Sequence, residues 1–288
     1  MNTAAGAIID AHQHYWWPAR GDYGWLTPQL RVLYRDRSPH DLRPLLDAAG
    51  VSSTVLVQAA ATAAETDELL RIARNEPTVA GVVGWIDLEA DDAPARIQAL
   101  LARSGGTLLG LRPMLQDLDD PHWIARPTLD AAFEAMAAHG LVLDILARPA
   151  HLASARERLL RHPHLRAVLD HGGKPAITSG SDPLWTSEVA LLARETGAYC
   201  KLSGLLTQAP AGADLDTLSP WAAHLFDCFG PQRMLWGSDW PVLDLAGDYA
   251  GWLDLARALV SRHVPGHEAA VFGGNARTLY ALDRRATA

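Results

Sequence analysis

The chain has 288 residues, 49% of them hydrophobic and 20% charged, with a net charge of −8. That balance suits a globular protein with a sizeable core; the acidic excess argues against a nucleic-acid partner, which would require clustered basic side chains. Two cysteines, Cys200 and Cys228, are too few for a disulfide framework or a cysteine-rich zinc site, and fit small buried residues in a reducing compartment.

Residues 1–6 carry no basic region, and acidic Asp10 follows soon after, so no signal peptide is expected. No apolar run is long enough to span a bilayer. A cytoplasmic protein with no membrane partner is the expectation.

An apolar run predicts a first strand over 7–11, leading into Asp10-Ala11-His12-Gln13-His14. Alternation along a strand turns His12 and His14 to one side. A connection over 15–39 is rich in aromatics, among them Trp16, Trp17 and Trp25, with Pro18 and Pro28 as breakers. A helix over 39–49 follows, with Ser38 as N-cap, Pro39 in its first turn and Gly50 as its stop. Strands are then predicted over 53–58, 79–86, 107–112, 141–145, 166–171, 198–203 and 233–237. Helices are predicted between them over 64–75, 93–103, 129–139, 149–162, 183–196 and 218–229, and two more over 248–262 and 266–282. An irregular stretch, 113–127, separates the fourth strand from its helix.

Eight strands, each followed by a helix, predict a parallel sheet. In under 300 residues the pattern fits a single-domain α/β protein, a (β/α)8 TIM barrel. The competing open doubly wound sheet loses support because no Gly-x-Gly-x-x-Gly follows the first strand.

In such barrels chemistry sits at the C-terminal strand ends. Those positions hold His12 and His14, Arg112, Asp144, His171, Lys201 with Ser203, and Asp239. The other histidines fall in helices and loops and read as surface or capping residues.

The segments Ile9-Asp10-Ala11-His12-Gln13-His14, Leu169-Asp170-His171-Gly172-Gly173-Lys174-Pro175, Cys200-Lys201-Leu202-Ser203-Gly204 and Trp236-Gly237-Ser238-Asp239-Trp240-Pro241 resemble the amidohydrolase superfamily. They are most similar to its lactonase branch, which includes sugar-lactone hydrolases of the fuconolactonase and rhamnonolactonase kind and a pyrone dicarboxylate lactonase. The likeness runs from about Ile8 to Tyr280. Many members place a Lys or Glu on strand four and a His on strand five; Arg112 and Asp144 stand there here, so a two-metal centre would lack its bridging ligand. The resemblance implies that such lactonases can work without a metal, so the expectation is either no required cofactor or one divalent metal. His12, His14, His171 and Asp239 remain the set that could hold one divalent ion such as Zn²⁺.

Ester hydrolysis needs a base for water, positive charge for the growing oxyanion and a proton for the leaving oxygen. Asp239 is expected to be the base and to return the proton to the ring oxygen. His12, His14, His171 and Arg112 are expected to aim donors at the carbonyl oxygen. Asp10 is expected one layer deeper, orienting a histidine.

Indole faces stack on sugar rings, so Trp16 and Trp25 favour an uncharged polyhydroxylated lactone as the small-molecule partner. Gln116, Trp123 and Lys174 are further substrate contacts implied by the resemblance. Three structural alternatives stay open. Arg112 could pair with Asp144; Lys201 could pair with Asp10 or Asp144 instead of touching substrate; and the aromatic loop could be hydrophobic packing over the barrel. Two other functions stay open as well, a Zn²⁺-dependent decarboxylase of the same superfamily and a non-catalytic ligand-binding barrel.

Overall fold

The computed structural model describes residues 6–285; residues 1–5, part of the stretch read above for a leader, and residues 286–288 lie outside that range. Eight strands form one parallel sheet in chain order. They are β1 (Ile8–Gln13), β2 (Val51–Val57), β3 (Val79–Gly84), β4 (Leu108–Leu111), β5 (Val142–Ile145), β6 (Ala167–Leu169), β7 (Tyr199–Leu202) and β8 (Met234–Trp236). A parallel bridge between Gln13 and Trp240 brings β8 back to β1, and the His14 and Asp239 N–H groups donate to Trp240 O and His12 O across it. The sheet is thus a (β/α)8 barrel and not an open sheet.

The outer helices are α1 (Pro39–Ala49), α2 (Ala63–Asn75), α3 (Ala93–Arg103), α4 (Asp130–Ala138), α5 (Leu152–Arg161), α6 (Pro183–Glu195), α7 (Leu215–Phe229) and α8 (Tyr249–His263), followed by α9 (Asn275–Tyr280) and α10 (Leu282–Arg285). Their ends lie where the caps are. Ser38 N donates to Asp41 Oδ2 at 2.8 Å, and Gly50 closes α1 in the left-handed region at φ 67°. Helix α7 starts three residues before its expected position, because Asp214 Oδ1 accepts from Thr217 N at 2.9 Å.

One predicted helix is broken. The run over 266–282 contains a π-helical turn at Ala270–Gly274. Gly273 lies directly against the Ala7 carbonyl, and no side chain fits between them. That close approach seats the C-terminal segment on the start of β1.

The barrel interior is packed, not hollow. Ile9, Ala11, Val55, Val83, Leu109 and Val142 meet Leu279, Tyr280 and Leu282, which close its floor. Alternate strand residues such as Leu56, Leu143, Cys200 and Trp236 face the helices in a larger cluster. Burial of such side chains, at about 1.5–3 kcal/mol each, is the main favourable contribution to the fold. Among the described residues, no helix is long and apolar enough to cross a membrane.

Candidate active site

The strand alternation behind the first motif changes inside β1. Pairing with β2 is irregular between Asp10 and Gln13. As a result Asp10 and His12 do not share a face. Asp10 accepts from Ser238 N (2.8 Å), Tyr249 Oη (2.9 Å) and the His12 backbone N (3.1 Å). It ties the ends of β1 and β8 to α8; it does not orient an imidazole, and the expected role is corrected on that point.

Strand β6 ends at Leu169, and Asp170–Gly173 forms a tight turn. His171 (φ 54°), Gly172 (φ 58°), Gly173 (φ 76°) and Lys174 (φ 52°) are all left-handed, a conformation that costs roughly 1–2 kcal/mol for a non-glycine residue. The turn is held from outside the barrel: Trp185 Nε1 of α6 donates to Gly172 O at 2.7 Å. It brings His171 and Lys174 to the barrel mouth.

There, three imidazole Nε2 atoms converge on one carboxylate oxygen. Asp239 Oδ1 lies 3.4 Å from His14, 3.7 Å from His12 and 3.8 Å from His171, and the His12 and His14 Nε2 atoms are 3.1 Å apart. His14 Nδ1 donates to Val57 O at 2.8 Å, which leaves its Nε2 as a lone pair. His171 Nδ1 is 2.9 Å from Ser203 Oγ. His12 Nδ1 faces both Lys201 Nζ (3.1 Å), a donor, and Asp170 Oδ1 (3.4 Å), an acceptor, so its surroundings accept either tautomer.

Burial pulls all three imidazoles down, His171 to about 4 and His12 well below the usual value, so they are neutral near pH 7. Burial pushes Asp239 up, but the surrounding histidines outweigh it and hold the carboxyl below its usual range.

The donor set fits a metal ion. Four ligand atoms about 2.0–2.1 Å from a tetrahedral Zn²⁺ stand roughly 3.3 Å apart, close to the separations above. His12, His171 and Asp239 also form a compact ligand group. Arg112 NH1 lies 3.3 Å from His12 Nε2 and competes for that lone pair.

Behind this layer is a buried network of charges. Lys201 Nζ is 2.5 Å from Asp144 Oδ2 and 2.9 Å from Asp170 Oδ1. Tyr280 Oη donates to Asp144 at 3.0 Å. Burial raises Asp144 to about 6, against the pull of Lys201; Asp170 stays well below its usual value because Lys201, His12 and Arg112 overcome its burial. Lys201 therefore pairs with Asp144, as one alternative had it, and lies out of reach of substrate. Arg112 pairs with Asp170 at 3.3 Å, not with Asp144.

Arg112 lines the cavity, yet its terminal N–H groups serve the protein. NH1 also meets His12, while NH2 donates to Gln58 O and, at 2.9 Å, to Gln58 Oε1. Its Nε is buried without a partner among the described residues. The expected aim of Arg112 at a carbonyl oxygen is corrected accordingly.

The cavity above Asp239 holds about 130 Å³ and is walled by His14, Trp25, Arg112, Gln116, His171 and Lys174, with Met114, Leu146 and Val242 as apolar surface. Trp25 donates to Ala59 O at 2.7 Å and lines the cavity. Trp16 does not reach this space. It is fully buried, donates to Leu33 O and Arg35 O, and backs both Trp25 (edge-on, 5.2 Å) and His14 (stacked, 6.3 Å). Trp123 is likewise buried in the main core, away from the cavity. The aromatic loop is thus a small core of its own, with Tyr23, Leu26, Leu33, Ala59 and Ala60, latched by Arg37 to Asp244 at 2.9 Å.

Asp170, Gln58 and Tyr280 were missed from sequence. The available signal was the buried lysine at 201, which needed more than one carboxylate at the strand ends.

A barrel whose strand ends gather three neutral imidazoles and an ionised aspartate at the floor of a small polar cavity defines an enzyme of the (β/α)8 hydrolase type. The chain belongs to the amidohydrolase family, whose model matches residues 9–282. It is 46% identical over 280 residues to an L-fucono-1,5-lactonase of Burkholderia ambifaria, covering 96% of each chain. It is 36% identical over 300 residues to an L-fucono-1,5-lactonase of Burkholderia multivorans, covering 98% of this chain and 99% of that one. A crystal structure of an amidohydrolase from Burkholderia multivorans with bound zinc superposes with a TM-score of 0.89 at 34% identity, covering 96% of this chain and 99% of that one.

Proposed function

We propose that the protein hydrolyses a sugar lactone of the L-fucono-1,5-lactone kind to the free aldonic acid. What carries the reading is Asp239, an ionised carboxylate ringed by neutral imidazoles at the floor of a cavity sized for one sugar ring. The likeness to L-fucono-1,5-lactonases, over 96% and 98% of this chain, supports that choice of ring.

A water seated between the imidazoles and Asp239 gives up its proton to the carboxylate as its oxygen bonds the lactone carbon. A carboxylate held this low is a weak base, so proton transfer and attack are concerted. The carbonyl electron pair moves onto its oxygen. The tetrahedral intermediate then collapses, the ring C–O bond breaks, and the proton on Asp239 passes to the ring oxygen, which becomes a hydroxyl. Neutral His14 and His171 orient the water, and Arg112 contributes positive potential while fixing His12. Trp25 offers an indole face to the ring, and Gln116 and Lys174 reach its polar edge.

A divalent ion, where bound, would be held by His12, His14, His171 and Asp239 and would supply Lewis-acid polarisation. The protein's own cations supply enough charge for a lactone, whose alkoxide leaving group lowers the barrier relative to an amide.

The test is acid release from a panel of sugar lactones, with and without chelator. Turnover of L-fucono-1,5-lactone that survives chelation is expected, with Asp239→Asn reducing it by at least about 10²-fold. Strictly metal-dependent CO₂ release would instead mark a decarboxylase. Ligand-induced stabilisation without turnover would mark a binding protein. Near wild-type turnover by Asp239→Asn would remove the base assignment.

A further inference from the structure

Two cations line the cavity, and they differ in what their donors do. The four terminal N–H groups of Arg112 are aimed at Asp170, His12 and Gln58. Lys174 has a single side-chain partner, Gln116 Oε1, and among the described residues no carboxylate stands within ion-pairing distance of its Nζ. A half-buried ammonium with no carboxylate in contact, and only the more distant charges of Asp239 and Asp117 acting on it, is costly unless an anion visits it. The left-handed turn over 171–174, held by Trp185, places this ammonium on the cavity wall beside His171 and Asp239.

We propose that Lys174 is the group that takes the negative charge growing on the lactone carbonyl oxygen, and then the carboxylate of the product, with Gln116 aiming it. The inference rests on the lactonase reading and adds to it the residue that stabilises charge. In the step itself, the carbonyl π pair becomes a lone pair on oxygen opposite the ammonium; no proton moves to or from Lys174. When the ring C–O bond breaks, the carbonyl oxygen becomes one of two carboxylate oxygens and keeps the same partner. Gln116 occupies one of the three ammonium donors and leaves two for the anion. Arg112, whose terminal N–H groups are taken by Asp170, His12 and Gln58, acts through His12 and Asp170.

The test compares wild type with Lys174→Met, Lys174→Ala, Lys174→Arg and Gln116→Leu. Lys174→Met is expected to lower kcat for L-fucono-1,5-lactone by about 10²–10³-fold, the usual loss when one preorganised donor is removed. The same variant should weaken L-fuconate binding by at least about tenfold in calorimetry. A Lys174→Ala protein should regain part of its turnover when methylammonium is added, a response a structural role would not give. Lys174→Arg should keep product binding better than turnover, because its fork is longer and planar. Gln116→Leu should lower kcat more than it raises KM. An active wild type whose Lys174→Met variant keeps its kcat and its L-fuconate affinity overturns the role of Lys174 alone. A wild type inert towards every sugar lactone removes the reaction and this role together.

Discussion

At the scale of single residues, the centre depends on groups that never meet substrate. Asp170 is the counter-charge for both Lys201 and Arg112, and all three are buried. Asp170→Asn keeps the shape and removes the charge, leaving two cations with one buried carboxylate, Asp144. The expected cost is about 3–5 kcal/mol in denaturant unfolding. Asp67→Asn, at the exposed pair with Arg103, is the control and should leave stability nearly unchanged. The polar residues at the mouth could be read from the chain because each closes an apolar run. The partners of Arg112 and Lys201 could not: Asp170 stands next to a histidine that draws the attention, and Gln58 serves through both its side chain and its backbone oxygen. Trp16 misled for a related reason. Its position beside His14 suggested a ring-stacking surface, yet its indole N–H is used by backbone carbonyls and its faces by neighbours.

At the scale of elements, α1 and α3 fall where the sequence places them, because proline at the start and glycine or a capping side chain at the end punctuate the chain. The strands match in number and order but run shorter at several ends, since the residues that carry chemistry leave the ladder to enter turns. The turn after β6 is the sharpest case: hydrophobic periodicity has nothing to say about four consecutive left-handed residues. The loop after β7 is fitted to that turn. Gly204 has φ 63°, and a Cβ on it would sit 2.7 Å from the His171 ring. Gly204→Ala should therefore displace the imidazole and lower kcat/KM by about 10²-fold. Thermal unfolding should shift by only a few degrees, because one strained φ costs about 1–2 kcal/mol. A variant with full activity would show that the ring has room to move.

At the scale of the whole molecule, the barrel is closed at one end by function and at the other by its own C-terminal segment. Leu279, Tyr280 and Leu282 fill the floor, and the Tyr280 hydroxyl reaches Asp144 inside. Tyr280→Phe leaves the packing and removes that donor, so a loss of about 1–3 kcal/mol is expected in unfolding experiments. No difference from wild type would mean that Lys201 alone satisfies the carboxylate. The same contact bears on when the protein becomes itself. His12 lies on the first strand and Tyr280 follows the eighth, yet both belong to one chain of contacts through Lys201 and Asp144. A nascent chain can pair its early strands as they emerge, but Asp144 waits for a partner that follows the last strand. The barrel's mouth is thus supported only once the segment after β8 has been made, and a chain cut short before that segment carries the histidines without the floor beneath them.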